Sequence, residues 1–205
     1  MKNDFSFSPV LQPLTLSGRL VCLEPLSEAH VPDLTVAGQD ESIWQYLRYG
    51  QVTTREKMRH FVLMLLEWQQ RGTDLPFAVI HLEAGKAVGM TRYMNIDPAN
   101  RSLEIGGTWY ATPYQRTGVN TECKYLLLGY AFETLGCIRV QFRTDVRNLR
   151  SQRAIERLGA MREGVLRDHM ILPDGTVRSS VIYSILKGEW PVVKARLESM
   201  LNEKR

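Results

Sequence analysis

The sequence predicts an α/β fold of the α+β type: a mixed, mostly antiparallel central sheet with helices on both faces. Three observations carry that prediction. Segments with two-residue apolar alternation and segments with helical spacing follow in the order β, helices, ββ, β, α, β, α, ββ, α. Two pairs of strand-like segments are joined by short turns, Glu83 to Lys86 and Pro173 to Gly175, and so read as hairpins with antiparallel neighbours. The 205 residues, 44% hydrophobic and 23% charged, have the composition of a globular domain with a substantial core. No repeat, low-complexity tract or long linker divides the chain, so residues 1–205 are read as one domain.

Taken in order, Leu16 to Glu24 alternates around Gly18 and Arg19 as a strand or hairpin, and Ser27 to Leu47 reads as short helices broken near Gly38. Thr54 caps a helix running to Arg71, with Met58, Phe61, Val62, Leu65 and Leu66 on one face and Gly72 at its end. Strands are expected over Phe77 to Leu82, Ala87 to Asn95 and Ser102 to Tyr110, the last with adjacent Gly106 and Gly107, which suggest a bulge or a close backbone approach. Val119 to Leu135 has a helical apolar face, closed by Gly136. Ile138 to Thr144 is a strand, Asn148 to Leu158 a helix ended by Gly159, and Arg162 to Leu172 with Val177 to Leu186 a hairpin. Glu189 to Leu201 closes as a helix, with Trp190, Val193, Leu197 and Leu201 available to cover the core or to meet a second copy in a homodimer.

Several function classes are disfavoured. No apolar run reaches the roughly 18 to 20 residues that cross a bilayer, and residues 1–14 lack a basic then apolar leader, so no membrane partner and a cytoplasmic location are expected. Cys22, Cys123 and Cys137 are odd in number and lack metal-type spacing, against a disulfide framework and against a metal site. The net charge of +4 is spread along the chain, so nucleic acid is not expected, whereas an anionic small molecule fits.

Chemistry concentrates in two segments. Trp109 to Thr121 (WYATPYQRTGVNT) is a strand that turns into a long helix, with Gly118 at the junction and Gln115, Arg116 and Thr117 as extra donors. Unpaired first-turn amides and the positive helix end suit a pyrophosphate, although a glycine there is also an ordinary capping feature. Asn148 to Ala160 (NLRSQRAIERLGA) follows the next strand directly.

With these two segments and the strand carrying Glu163, Gly164, Leu166 and Arg167, the sequence resembles the GNAT acetyltransferase superfamily, in particular its RimJ and RimL branch, over roughly residues 14–187. The resemblance implies a GNAT-like sheet splayed in the middle, between Ser102–Tyr110 and Ile138–Thr144. It implies acetyl-CoA as cosubstrate, no metal, and transfer to an amine acceptor, either a protein N-terminus or a small molecule. The pantetheine arm would pair with the backbone of Thr108, Trp109 and Tyr110, and the pyrophosphate would meet Gln115, Arg116, Thr117, Gly118, Val119, Asn120 and Thr121. Asn148 and Ser151 would approach the sulfur or the cofactor, and Glu104 matches a glutamate assigned as base in the RimL branch.

Two positions depart from the family pattern. Asn120 stands where Gly or Ala is usual, tolerable because asparagine accepts left-handed backbone geometry. Ile155 stands where many members place an acidic tyrosine, leaving Ser151 as candidate acid or as a helix-start residue that satisfies backbone amides. Glu104 is likewise either a base or a carboxylate that binds the substrate ammonium. A noncatalytic coenzyme A-binding module is the alternative to an enzyme. Cys123, on the apolar helix face, reads as core, and His169, Trp109, Tyr110 and Tyr114 as core, rim or pocket wall. Acceptor selectivity is expected from Ala37 to Thr54 and from the hairpin near Asp174.

Overall fold

The computed structural model describes residues 11–203, so most of the stretch read as lacking a leader lies outside the described residues. The alternating segments become β1 (Leu16–Ser17), β2 (Val21–Pro25), β3 (Asp74–His81), β4 (Lys86–Asp97), β5 (Ser102–Tyr110), β6 (Arg139–Asp145), β7 (Met161–Ile171) and β8 (Val177–Leu186). They form one sheet in the order β1-β2-β3-β4-β5-β6-β8-β7. Every neighbour is antiparallel except β5 with β6. That parallel contact requires a crossover, which α3 (Val119–Gly129) supplies.

The helical segments cover both faces, as their periodicity predicts. α1 (Val31–Ala37) and α2 (Arg55–Gln70) bury Leu34, Met58, Phe61, Val62 and Leu65 against Ala78, Met90 and Trp109 on one side. α3, α4 (Leu149–Leu158) and α5 (Trp190–Asn202) bury Leu127, Leu158, Val193 and Leu197 against Phe77, Tyr93, Val140 and Tyr183 on the other. Local chemistry sets the boundaries: Thr54 Oγ1 accepts from Lys57 N at 3.3 Å at the start of α2, and Gly159, at φ 103°, ends α4.

One expectation needs correction. The apolar period from Val119 to Leu135 is not one α-helix: Tyr130–Thr134 widens into a π turn, in which Leu135 N donates to Tyr130 O at 3.0 Å. Ala131, Phe132 and Leu135 all stay buried through this turn. The C-terminal helix covers the core through Trp190, Val193 and Leu197, and Trp190 Nε1 donates to Glu133 at 2.8 Å.

α3 carries two buried charges of opposite sign, and the fold treats them differently. Glu122, 3% exposed, accepts from the backbone amides of Arg19, Leu20 and Val21 at 2.9, 2.7 and 2.8 Å, tying the β1–β2 turn to α3. The carboxylate sits so close that a Cβ on Gly18 would lie 2.5 Å from it, which explains the glycine in that turn. Lys124, 5% exposed, has no carboxylate of this kind; its Nζ donates to the hydroxyl of Thr108 at 2.7 Å and lies 3.4 Å from that of Thr91. Burial pushes its pKa down to about 8.

Glu122→Ala leaves three buried amides without an acceptor and is expected to lower the unfolding free energy by about 3 kcal/mol in urea; a loss below about 1 kcal/mol overturns this account. For Lys124 the folded pKa lies below the unfolded value of about 10.4, so between pH 8 and 10.4 the unfolded chain holds more protons and stability rises with pH. The cost is fully present below pH 8, on the order of 3 kcal/mol. Lys124→Met is therefore expected to be more stable than the parent at pH 7, because Thr91 and Thr108 still bond each other at 2.8 Å. The gain should shrink as pH rises from 8 towards 10.4; a gain that does not change with pH contradicts it.

Candidate active site

β5 and β6 pair over only three residues, Ser102 with Arg139, Leu103 with Val140 and Glu104 with Gln141. Beyond Glu104 the strands part: β5 continues against β4, while Phe142–Asp145 of β6 continue against β8. The facing edge of Ile105–Tyr110 therefore presents unpaired backbone groups to a cavity of about 590 Å³. The glycine pair belongs to this geometry. β5 carries one residue more than β4 between the pairs Met90–Trp109 and Arg92–Gly106, and Gly107 takes φ 58° in that bulge. A Cβ on Gly106 would lie 2.7 Å from Met94 Sδ, and one on Gly107 would lie 3.1 Å from Arg92 Nε.

One end of the cavity is framed by the turn before α3 and by the start of α4. Thr108, Trp109, Tyr110, Gln115, Arg116, Thr117, Asn120, Asn148 and Ser151 all line it, together with Glu104. Gly118, Val119 and Thr121 do not: the Val119 amide donates to Thr117 Oγ1 at 3.2 Å, and Thr121 Oγ1 accepts from Arg157 at 3.1 Å. The expected left-handed residue is also displaced. Arg116 takes φ 62°, whereas Asn120 is inside the first turn of α3, where its side chain accepts from Tyr110 Oη at 3.2 Å. Gln115 holds the turn from both ends, donating to Tyr110 O at 3.0 Å and accepting from Arg150 at 2.7 Å.

On α4, the residue that satisfies a backbone amide is Asn148, whose Oδ1 accepts from Ser151 N at 3.0 Å. The Ser151 hydroxyl lines the cavity and has no hydrogen-bond partner among the described residues. Glu104 stands at the last paired position of the fork. It is 3% exposed, and its Oε2 accepts from Asn95 at 2.9 Å and Gln141 at 3.1 Å, with Arg143 at 3.4 Å. Three donors therefore fix the orientation of this carboxylate. His169 lies behind it, its Nε2 3.2 Å from Arg143 and its Nδ1 3.2 Å from Ser180 Oγ. Burial, and then the charge of Arg143, push the histidine pKa below its ordinary value, so the ring is neutral at pH 7.

The other end of the cavity is walled by Ile43, Tyr46, Leu47, Arg48 and Tyr49, inside the segment expected to shape the acceptor side, and by Met170 and Arg178 of the β7–β8 hairpin. Asp174 itself is not part of the wall. Apart from Arg116, sequence reasoning missed the basic lining: eight arginines and Lys124 surround one carboxylate, Glu104. The available signal was a charge inside an apolar run, as for Arg92 in VGMTRYM and Lys124 beside Cys123 and Leu126. The residues read as core behave so: Cys123 is buried with its thiol pushed up to about 12 by burial, and Tyr114 packs on His81 outside the cavity. Among the described residues there is no cluster suited to a metal and no helix long and apolar enough to cross a membrane.

Known proteins share this architecture. The acetyltransferase (GNAT) domain family matches residues 20–161. The candidate ribosomal N-acetyltransferase YdaF of Bacillus subtilis (strain 168) is 30% identical over 170 residues, 82% of this chain and 90% of that protein. The crystal structure of a GCN5-related N-acetyltransferase from Brucella melitensis superposes with a TM-score of 0.87 at 31% identity, covering 93% of this chain and 86% of the other. RimJ of Mycobacterium smegmatis, solved with CoA-disulfide, shares the fold with a TM-score of 0.77 at 21% identity, covering 92% of this chain and 95% of that one. A fork in a mixed sheet beside a basic turn and helix start, in a sequence with these relatives, makes the chain a member of the GNAT family of acetyl-CoA-dependent acetyltransferases.

Proposed function

We propose that this enzyme moves an acetyl group from acetyl-CoA directly to a primary amine held at the fork between β5 and β6, with Glu104 as base. The observation that carries the reading is the position of Glu104: it is the last residue of β5 that pairs with β6, so its carboxylate lies where the open strand edge begins. A thioester arm paired along Ile105–Tyr110 would end beside it. The cavity suits such a group, since the free strand edge offers peptide-like pairing. The start of α3, with Arg116 and Arg150, offers positive charge to phosphates.

Acetyl-CoA would supply the activated acetyl group, and the protein would arrange the rest. Glu104 takes the proton that the ammonium must lose, directly or through one water. Deprotonation at pH 7 costs roughly 4.6 kcal/mol for a lysine-type amine and about 1 kcal/mol for an α-amine, so an α-amine asks much less of a carboxylate base. As the C–N bond forms and the C–S bond breaks, backbone amides along the open edge stabilise the carbonyl oxygen, and the Ser151 hydroxyl donates to the departing sulfur. Asn148, Thr108, Trp109, Tyr110, Gln115, Thr117 and Asn120 line the same cavity, where they would meet the cosubstrate. The similarity to YdaF, named for ribosomal acetylation, supports a protein α-amine among the acceptors.

Glu104→Gln keeps the shape and the contacts with Asn95 and Gln141 but removes the base. We expect unchanged acetyl-CoA binding, read as thermal stabilisation, and a kcat lower by about two to four orders of magnitude. Equal turnover would remove Glu104 from the chemistry. Stabilisation of the parent protein by acetyl-CoA and not by adenosine diphosphate separates binding from catalysis; no stabilisation at saturation would leave the fork without its ligand. Ser151→Ala is expected to lower kcat about tenfold with little change in the KM for acetyl-CoA.

A further inference from the structure

We infer that the acceptor amine carries a carboxylate, and that Arg48 and Arg92 hold it one strand step from Glu104. This rests on the acetyl-transfer reading and adds the substrate class. The arginines around the cavity are not equivalent. Arg143 is matched by Glu104, and Arg178 by Asp145 at 3.9 Å together with the carbonyl of Tyr46 at 3.1 Å. Arg116 belongs to the turn before α3, and Arg150, Arg153 and Arg157 belong to α4.

Arg48 and Arg92 differ from these. Both guanidiniums lie over the same two rings: Arg48 Cζ is 5.6 Å from the Tyr49 centroid and 5.1 Å from that of Trp68, and Arg92 Cζ is 5.7 and 5.0 Å from them. Among the described residues the only carboxylate with them is Asp74, leaving one net positive charge. Even that pairing is incomplete. Arg92 Nε is 3.1 Å from Asp74 Oδ1, but the two are not aligned as a hydrogen bond, and Arg92 Nη1, in a side chain 1% exposed, has no hydrogen-bond partner among the described residues. A buried guanidinium is normally satisfied at every nitrogen, so one in a cavity wall with only Nη2 bonded, to the Tyr49 hydroxyl, marks a site that an anion completes. Arg48 is exposed, lines the same cavity and has no acidic partner among the described residues.

The register fixes the distance to the chemistry. Arg92 pairs with Gly106 and Met94 with Glu104, so Arg92 and Glu104 are diagonal neighbours on one face of the β4–β5 pair, with Cβ atoms roughly 7 to 8 Å apart. An amine at Glu104 and a carboxylate at Arg48 and Arg92 would therefore belong to one small acceptor or to the first residues of one peptide. The glycine at 107 keeps the space beside the Arg92 guanidinium clear, since any side chain there would meet it.

The test is a matched series: free serine against serinamide, and a peptide beginning Ser-Asp against one beginning Ser-Asn, each assayed by coenzyme A release. The acid of at least one pair should exceed its neutral partner about tenfold or more in kcat/KM, and the pair that does so identifies the source as an α-carboxylate or a side chain. Arg48→Gln, at an exposed position, should bring that ratio towards one. Equal rates within both pairs overturn the inference while leaving acetyl transfer intact. Calorimetric binding of the same ligands to the coenzyme A-loaded protein decides the question independently of turnover. Preference for the acid without turnover would uphold the anion site and count against the catalytic reading; no preference would overturn the anion site.

Discussion

The structure depends on a pairing that stops. Among the described residues β5 and β6 are the only parallel neighbours in the sheet, and they stay together for three residues. On either side of the gap the sheet is antiparallel and continuous, so each half is held by its own ladder, while α3 and α5 belong to one core that spans both halves. A strand edge that would otherwise invite aggregation is thereby enclosed in a cavity, where only a ligand of peptide-like shape can reach it. The bulge at Gly107 increases the local bend of β5 away from β6. Glu122 then locks the α3 crossover to the β1–β2 turn, so the helix start that faces the gap is anchored at a second point.

Anchoring matters because the proposed chemistry is mostly placement. Direct transfer needs an amine and a thioester carbonyl brought into line, with a base near one and a donor near the other. The side chains suited to those tasks are held by contacts away from the reacting atoms: Glu104 by Asn95 and Gln141, and the α4 start by the Asn148 cap. The alternative of a cysteine intermediate has no geometric support, since Cys123 points into the core with its thiol pushed up to about 12.

The elements were legible because their patterns are local. Thr54 before an apolar 3.6-residue stripe, Gly159 after one, and Gly85 and Gly175 between alternating runs each determine a boundary with little help from the rest of the chain. The candidate site was legible where residue type and backbone geometry coincide, as at Glu104, the Gln115–Thr117 turn and Asn148. What escaped were features that exist only after the sheet is assembled. The π turn at Tyr130–Thr134 leaves no mark in the apolar spacing of the sequence. The cavity's basic lining comes from β4, β6, β8, α3, α4 and the segment before α2, which are distant in sequence, so no window of residues contains it.

Those missed residues share a property that bears on how the site should be understood. Lys124 and Arg92 are charges placed in runs that otherwise bury, and neither is fully satisfied: one rests on hydroxyls, the other on the Tyr49 hydroxyl and a misaligned carboxylate. Each costs stability, and a sequence shaped for folding alone would replace them with Met or Leu at similar volume. Glu122 shows that the same fold can satisfy a buried charge fully when only structure is at stake, with three amides closing on one carboxylate. The contrast falls along a spatial line. Glu122 faces the β1–β2 turn, away from the cavity, whereas Lys124 and Arg92 both line it. Incomplete satisfaction at the cavity wall is what leaves positive potential there, available to the anionic groups of a ligand as it enters.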